Sequence, residues 1–190
     1  MAKDKDATTT SADDGGVERV LETVLKEIGE AVAVGQDTFS SVDATSNLSD
    51  NGNVTKATGV VVAVAISDGP VADTDVHVDW SGDKIHIKNS TIAGEQDGVS
   101  YEISVLTFKA MDHDHKDGET TVKFQDKSPE IDHQGHDVLE FTIQLDGNVA
   151  TAAFDAQTSA DNSLTVVDAS VLTVQDELSL STIMITAAVG

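Results

Sequence analysis

From residue 36 to the C-terminus, apolar residues recur at every second position in short runs, and this period constrains the fold more than any other feature. A period of two places alternate side chains on opposite faces of an extended strand, whereas a helix requires a period near 3.6. The runs are rich in Val, Ile and Thr, which suit a pleated surface, and Gly, Asp and Asn separate them. They predict strands over 55–67, 75–80, 84–88, 99–109, 120–125, 138–145, 148–154, 164–167, 171–174 and 178–188. Ser81-Gly82-Asp83 and Asp146-Gly147 lie between alternating runs and predict hairpins. About ten short strands without interleaved helices predict an all-β chain, a single jelly-roll β-sandwich over residues 36–190. No fixed repeat period points to a propeller or solenoid. The last run carries apolar alternation to the chain end, so it must lie centrally in a sheet or be covered by a partner.

One segment breaks the period. Val17, Val20, Leu21, Val24, Leu25, Ile28, Ala31 and Val32 recur at helical spacing, which predicts an amphipathic N-terminal helix over residues 17–35. Asp14 is placed to cap it, Glu22 and Lys26 form an i, i+4 pair, and Gly35 can terminate it. Its polar face would carry Glu18, Glu22, Glu27 and Glu30, which suits packing on protein better than lying on a membrane. Residues 1–16 are rich in Thr, Asp and Ser and predict a polar arm that an assembly would have to hold.

Charge narrows the setting. The chain has 34 Asp plus Glu against 11 Lys plus Arg, a formal net charge of −23 over 190 residues. In dilute buffer this surface repels itself, while at ~1 M salt the screening length falls to roughly 3 Å. The acids are dispersed among runs able to bury a core, which indicates a folded halophilic protein and not a disordered acidic one. Direct nucleic-acid binding and attraction to anionic lipid are both disfavoured. With no Cys, disulfides and thiolate chemistry are excluded. The N-terminal residues lack a basic start followed by an apolar run, so synthesis in the cytoplasm without a secretory signal is expected.

The densest candidate chemistry is Asp112-His113-Asp114-His115-Lys116-Asp117-Gly118-Glu119, followed by His133 and His136. On a strand, His113 and His115 share a face, and with Glu119 they could ligate a divalent metal. The spacing His-x-His-x-x-x-Glu resembles the first metal motif of cupins, although the flanking glycines and the second Pro-x-Gly-x-x-His segment are absent. An exposed acidic loop explains the same residues. Lys116 interrupts any alternating calcium ligand set over Asp112, Asp114 and Asp117. No Gly-x-Ser-x-Gly elbow and no phosphate-cradling Gly-x-x-x-x-Gly-Lys occurs. His77 and His86 alternate along strands as exposed sheet residues, and Trp80 is placed as a core or interface anchor.

Taken together, the helix at 17–34, the strand-rich body and the apolar terminus resemble the smaller major capsid protein of haloarchaeal icosahedral viruses with an internal membrane. That resemblance implies a vertical single jelly roll and a structural subunit of the virion capsid, with no catalytic residues and no cofactor. It also implies partners: further copies of itself, a second, larger capsid protein, neighbouring capsomers and internal membrane-associated virion proteins. The alternative is a cupin-like metal-binding jelly-roll protein or enzyme using His113, His115 and Glu119.

Overall fold

The computed structural model describes residues 23–113 and 146–190. Nine strands run through them: β1 (Thr23–Val34), β2 (Thr38–Asp50), β3 (Val54–Ser67), β4 (Val71–Trp80), β5 (Lys84–Gln96), β6 (Val99–His113), β7 (Asn148–Ser159), β8 (Ser163–Val174) and β9 (Leu178–Val189). They form a four-stranded sheet in the order β4-β1-β9-β8 and a five-stranded sheet in the order β5-β6-β3-β2-β7. The sheets pack face to face as a sandwich around a core that includes Leu25, Val42, Leu48, Val61, Leu106, Phe108, Ile183 and Ile185. Every neighbouring pair is antiparallel except β2 with β7, which is parallel. The all-β class is therefore as the alternation predicts. The polar arm, the start of the expected helix and the strands expected over 120–125 and 138–145 lie outside the described residues.

The helix expected over 17–35 is corrected by β1, because residues 23–34 are extended and hydrogen-bonded on both sides, to β4 and to β9. The same residues satisfy both periods. Thr23, Leu25, Gly29, Ala31 and Ala33 face inward on alternate positions, while Val24, Ile28, Val32 and Val34 face outward. β1 carries apolar residues on its outer face as well as toward the core, and that double pattern imitates a helical stripe. Two flanking ladders settle the competition, since tertiary pairing outweighs a weak local helix propensity.

The correction relocates Glu27. A helix would hold it in water, but in β1 it is 1% exposed, facing the core between Val78 of β4 and Ile185 of β9. Neither carboxyl oxygen has a hydrogen-bond partner among the described residues. Burial pushes the acid up to about 7, and the Ser46 hydroxyl across the core opposes that rise only in part.

At Gly29 the opposing sheet leaves no room for a side chain. A Cβ there would stand 2.5 Å from Val42 Cγ1 and 2.8 Å from Val61 Cγ1 of the opposing sheet. Gly29→Val is accordingly expected to cost about 1–3 kcal/mol through overpacking, read as a lower urea midpoint at constant salt. An unchanged midpoint would show that the sheets separate freely at this point.

Other connections differ from expectation for identifiable reasons. Ser81-Gly82-Asp83 does not close a hairpin, because β4 lies in one sheet and β5 in the other. It is a corner between sheets, and Gly82 is required because a Cβ would meet the Trp80 indole and Asp112. Strand β2 escaped the alternation because its inward side chains include Thr38, Ser40 and Ser46. Ser40 Oγ and Ser181 Oγ lie 2.9 Å apart in the core, and Asn148 Nδ2 donates to Thr38 Oγ1 at 2.7 Å. With Ser40 and Thr38 satisfied inside the protein, these positions do not need apolar side chains. The expected strands 164–167 and 171–174 are one strand, β8, since Asp168 points outward and does not interrupt the ladder. The C-terminal strand β9 is central, between β1 and β8.

Candidate functional site

The outer faces of the two sheets carry exposed apolar and charged side chains set in register. Across the four-stranded sheet, paired residues align in rows. Val71, Val34, Leu178 and Val174 form one, Asp73, Val32, Leu180 and Leu172 the next, and Asp79, Lys26, Thr186 and Val166 another. The β8 edge is the least protected part. Leu164, Val166 and Leu172 on its outer side are 48%, 49% and 48% exposed, and Val171 on its inner side is 52% exposed. In a chain with 24% charged residues, the 12 residues of β8 contain one charge, Asp168. Phe154 of the adjacent edge strand β7 is also 52% exposed. Natural edge strands are normally blunted by charge, Pro or a covering element, and exposed apolar patches of this kind mark interaction surfaces.

The other sheet gathers the cations. The described residues hold five lysines, and strand pairing sets Lys56, Lys84, Lys88 and Lys109 together on the outer side of β3, β5 and β6. Lys84 and Lys56 flank Met111 in one row, and His86 stands directly opposite Lys109 in the next. All four lysines are exposed, and none has a carboxylate partner among the described residues. Further along the same face the rows become apolar: Val105 beside Val62, then Ile92, Ile103 and Val64, then Tyr101 beside Ile66. These lysines were missed because they are spread over more than 50 residues of chain. The alternation Lys84-x-His86-x-Lys88 already carried part of the signal, since it places three basic groups on one face of a strand.

An acidic stripe lies on the outer side of β4 and β1. Asp75 stands directly opposite Glu30, with Asp73 two residues further along, and none of the three has a cationic partner among the described residues. Asp79 is occupied by His77, whose Nε2 lies 2.8 Å from Asp79 Oδ1. Like charges directly opposite each other on a sheet are destabilising, so the Asp75–Glu30 pair strains its own sheet.

The metal candidates are not brought together among the described residues. His113 ends β6, with Nδ1 3.9 Å from Asp83 Oδ2, while His115, Glu119, His133 and His136 lie outside the described residues. Asp112 accepts from Thr23 Oγ1 at 2.9 Å and from the Asp83 backbone N–H at 3.3 Å, which makes it a structural tie between β1, β6 and the corner before β5. Among the described residues, no three His, Asp or Glu converge as a metal set. His77 and His86, expected on a shared hairpin, are on different sheets. Trp80 packs against the core with its indole N–H buried and unpartnered among the described residues. An open depression lined by Asp37, Asn148, Thr173 and Asp176 lies at one end of the sandwich, and its polar atoms are used internally. Asp37 accepts from the Gly147 N–H, and Asn148 Oδ1 from the Asp176 N–H. Among the described residues, no helix is long and apolar enough to cross a membrane.

No protein-family model matches the chain, and no curated protein matches its sequence.

Proposed function

We propose that the chain is a structural shell subunit: a major capsid protein of a halophilic archaeal virus, built on a jelly-roll sandwich. It assembles with further copies of itself and with a second, larger capsid protein in the virion. The observation that carries this reading is the bare edge strand β8, where Leu164, Val166, Val171 and Leu172 are each about half exposed on a chain of net charge −23. On so acidic a chain, an edge strand with one charge and four half-exposed apolar side chains supports a surface that a partner covers. Burying such faces between subunits resembles burying a domain core. The connectivity is compatible with a jelly roll, because the chain crosses between sheets at β1 to β2, β3 to β4, β4 to β5 and β7 to β8. Terminal strands β1 and β9 also lie side by side in the middle of one sheet. The parallel β2–β7 pair is its departure from an all-antiparallel plan. On this reading the protein does no chemistry, and its exposed sheet faces are its working parts.

The double variant Val166→Lys/Leu172→Lys tests the reading. Both side chains are half in water in the single molecule, so the fold should survive by circular dichroism. In an assembly each ammonium would be desolvated without a partner, at a cost of several kcal/mol. The expected result is a folded monomer in molar NaCl, where the wild type forms larger species. Wild-type assembly by the double variant would remove β8 from the interface.

A further inference from the structure

We propose that a second copy of this chain docks on the outer face of the five-stranded sheet, its β4 aspartates seated over Lys56, Lys84, Lys88 and Lys109. The inference rests on the shell-subunit reading and supplies that reading with a defined contact between like subunits. Three observations point to this occupant.

The first is charge complementarity within one molecule. The outer side of β3, β5 and β6 concentrates four of the five described lysines, and the outer side of β4 and β1 concentrates Asp73, Asp75 and Glu30. The acidic group sets Asp75 opposite Glu30, the lysines stand in three successive rows, and neither group has a counter-charge among the described residues, so each gains by meeting the other. The second is pitch. Alternate residues on a strand repeat at about 6.6–6.8 Å, and Lys84, His86 and Lys88 follow the same alternate spacing as Asp73 and Asp75. Two sheets laid face to face can therefore align cations with carboxylates. The third is the surroundings of the lysines. Their rows run directly into Val62, Val105, Val64 and Ile103, which suit an apolar protein face and not a polyphosphate backbone.

The contact joins different surfaces of identical molecules, so it is heterologous. It propagates into a row or closes into a ring, as repeated shell subunits require. In brine the screening length is about 3 Å, which leaves only touching pairs effective. The apolar rows then supply affinity, and the lysine–aspartate pairs set register and exclude the reversed arrangement.

Charge reversal with rescue tests the proposal. In molar NaCl, Lys84→Glu/Lys88→Glu and Asp73→Lys/Asp75→Lys are each expected to weaken self-association at least about tenfold by sedimentation. Both should retain the wild-type circular dichroism spectrum. Mixed in equal amounts they should reassociate, because each presents the charge its partner now requires. Association of either variant at wild-type strength, or failure of the mixture to recover, overturns the proposal. Selective loss of binding to duplex DNA or to anionic vesicles by the lysine variant, with self-association intact, overturns it in favour of a polyanion. A wild type that never self-associates at any salt concentration defeats the shell-subunit reading itself, and is distinguishable from every other outcome.

Discussion

Replacing Glu27 with leucine is expected to stabilise the protein at pH 8 by roughly 3 kcal/mol, raising the thermal midpoint by about 6–12 °C for a chain of this size. Glu27 lies in the core of the sandwich without a hydrogen-bond partner among the described residues, and burial pushes its acid from 4.5 to about 7. A raised folded-state value means that the native protein holds this proton more tightly than the unfolded chain does. The stability linked to that proton is therefore fully present below about pH 4.5, declines as pH rises through about 7, and remains lost above it. Leucine has similar volume, needs no proton and removes the slope. Glu27→Gln isolates the charge: it should abolish the pH dependence between 4.5 and 7 while leaving an amide to be satisfied. Parallel stability curves for wild type and Glu27→Leu across pH 4 to 8 would show that Glu27 reaches water.

The same residue shows where sequence patterning stops being informative. Residues 23–34 fit a helical stripe and a two-faced central strand equally well, and only the ladders from β4 and β9 decide between them. Nothing local in a chain reports which distant strands will flank a segment. Where runs of Val, Ile, Leu and Ala left no helical spacing, the reading was sound, as over 55–67 in β3 and 178–188 in β9. It failed at β2, where buried Ser40 bonds Ser181 across the core and buried Thr38 accepts from Asn148 of neighbouring β7, which removes the hydrophobic alternation. Hairpin signals were similarly incomplete. Ser81-Gly82-Asp83 has turn chemistry, but turn chemistry alone does not say whether the chain returns to its own sheet or crosses to the other.

The candidate surface was legible only in part. The overall acid excess was visible, but the gathering of lysines on one sheet face was not. Strand pairing then brought Lys56 and Lys109 beside the Lys84 to Lys88 alternation, a convergence that depends on register across three strands. The poverty of charge on β8 could be read in the sequence, but not its position at an edge. A strand of that composition inside a sheet, like β9, carries no implication for partners.

Salt is the variable on which the whole account turns. Lowering NaCl from molar to physiological concentration lengthens electrostatic screening from roughly 3 Å to about 8 Å, so carboxylates that were independent begin to repel across a subunit and between subunits. A net charge of −23 makes the resulting cost cooperative. Apolar contact between sheet faces also weakens as salt is removed. Both effects act in the same direction, and together they should dissociate the proposed assembly before the sandwich itself unfolds. The most direct measurement is sedimentation velocity of the purified wild-type chain in about 3 M and about 0.15 M NaCl, with circular dichroism on the same samples. The shell-subunit reading predicts discrete multi-subunit species in the concentrated salt that dissociate to a still-folded monomer in the dilute one. A monomer in both solutions, or an assembly equally intact in both, would contradict it.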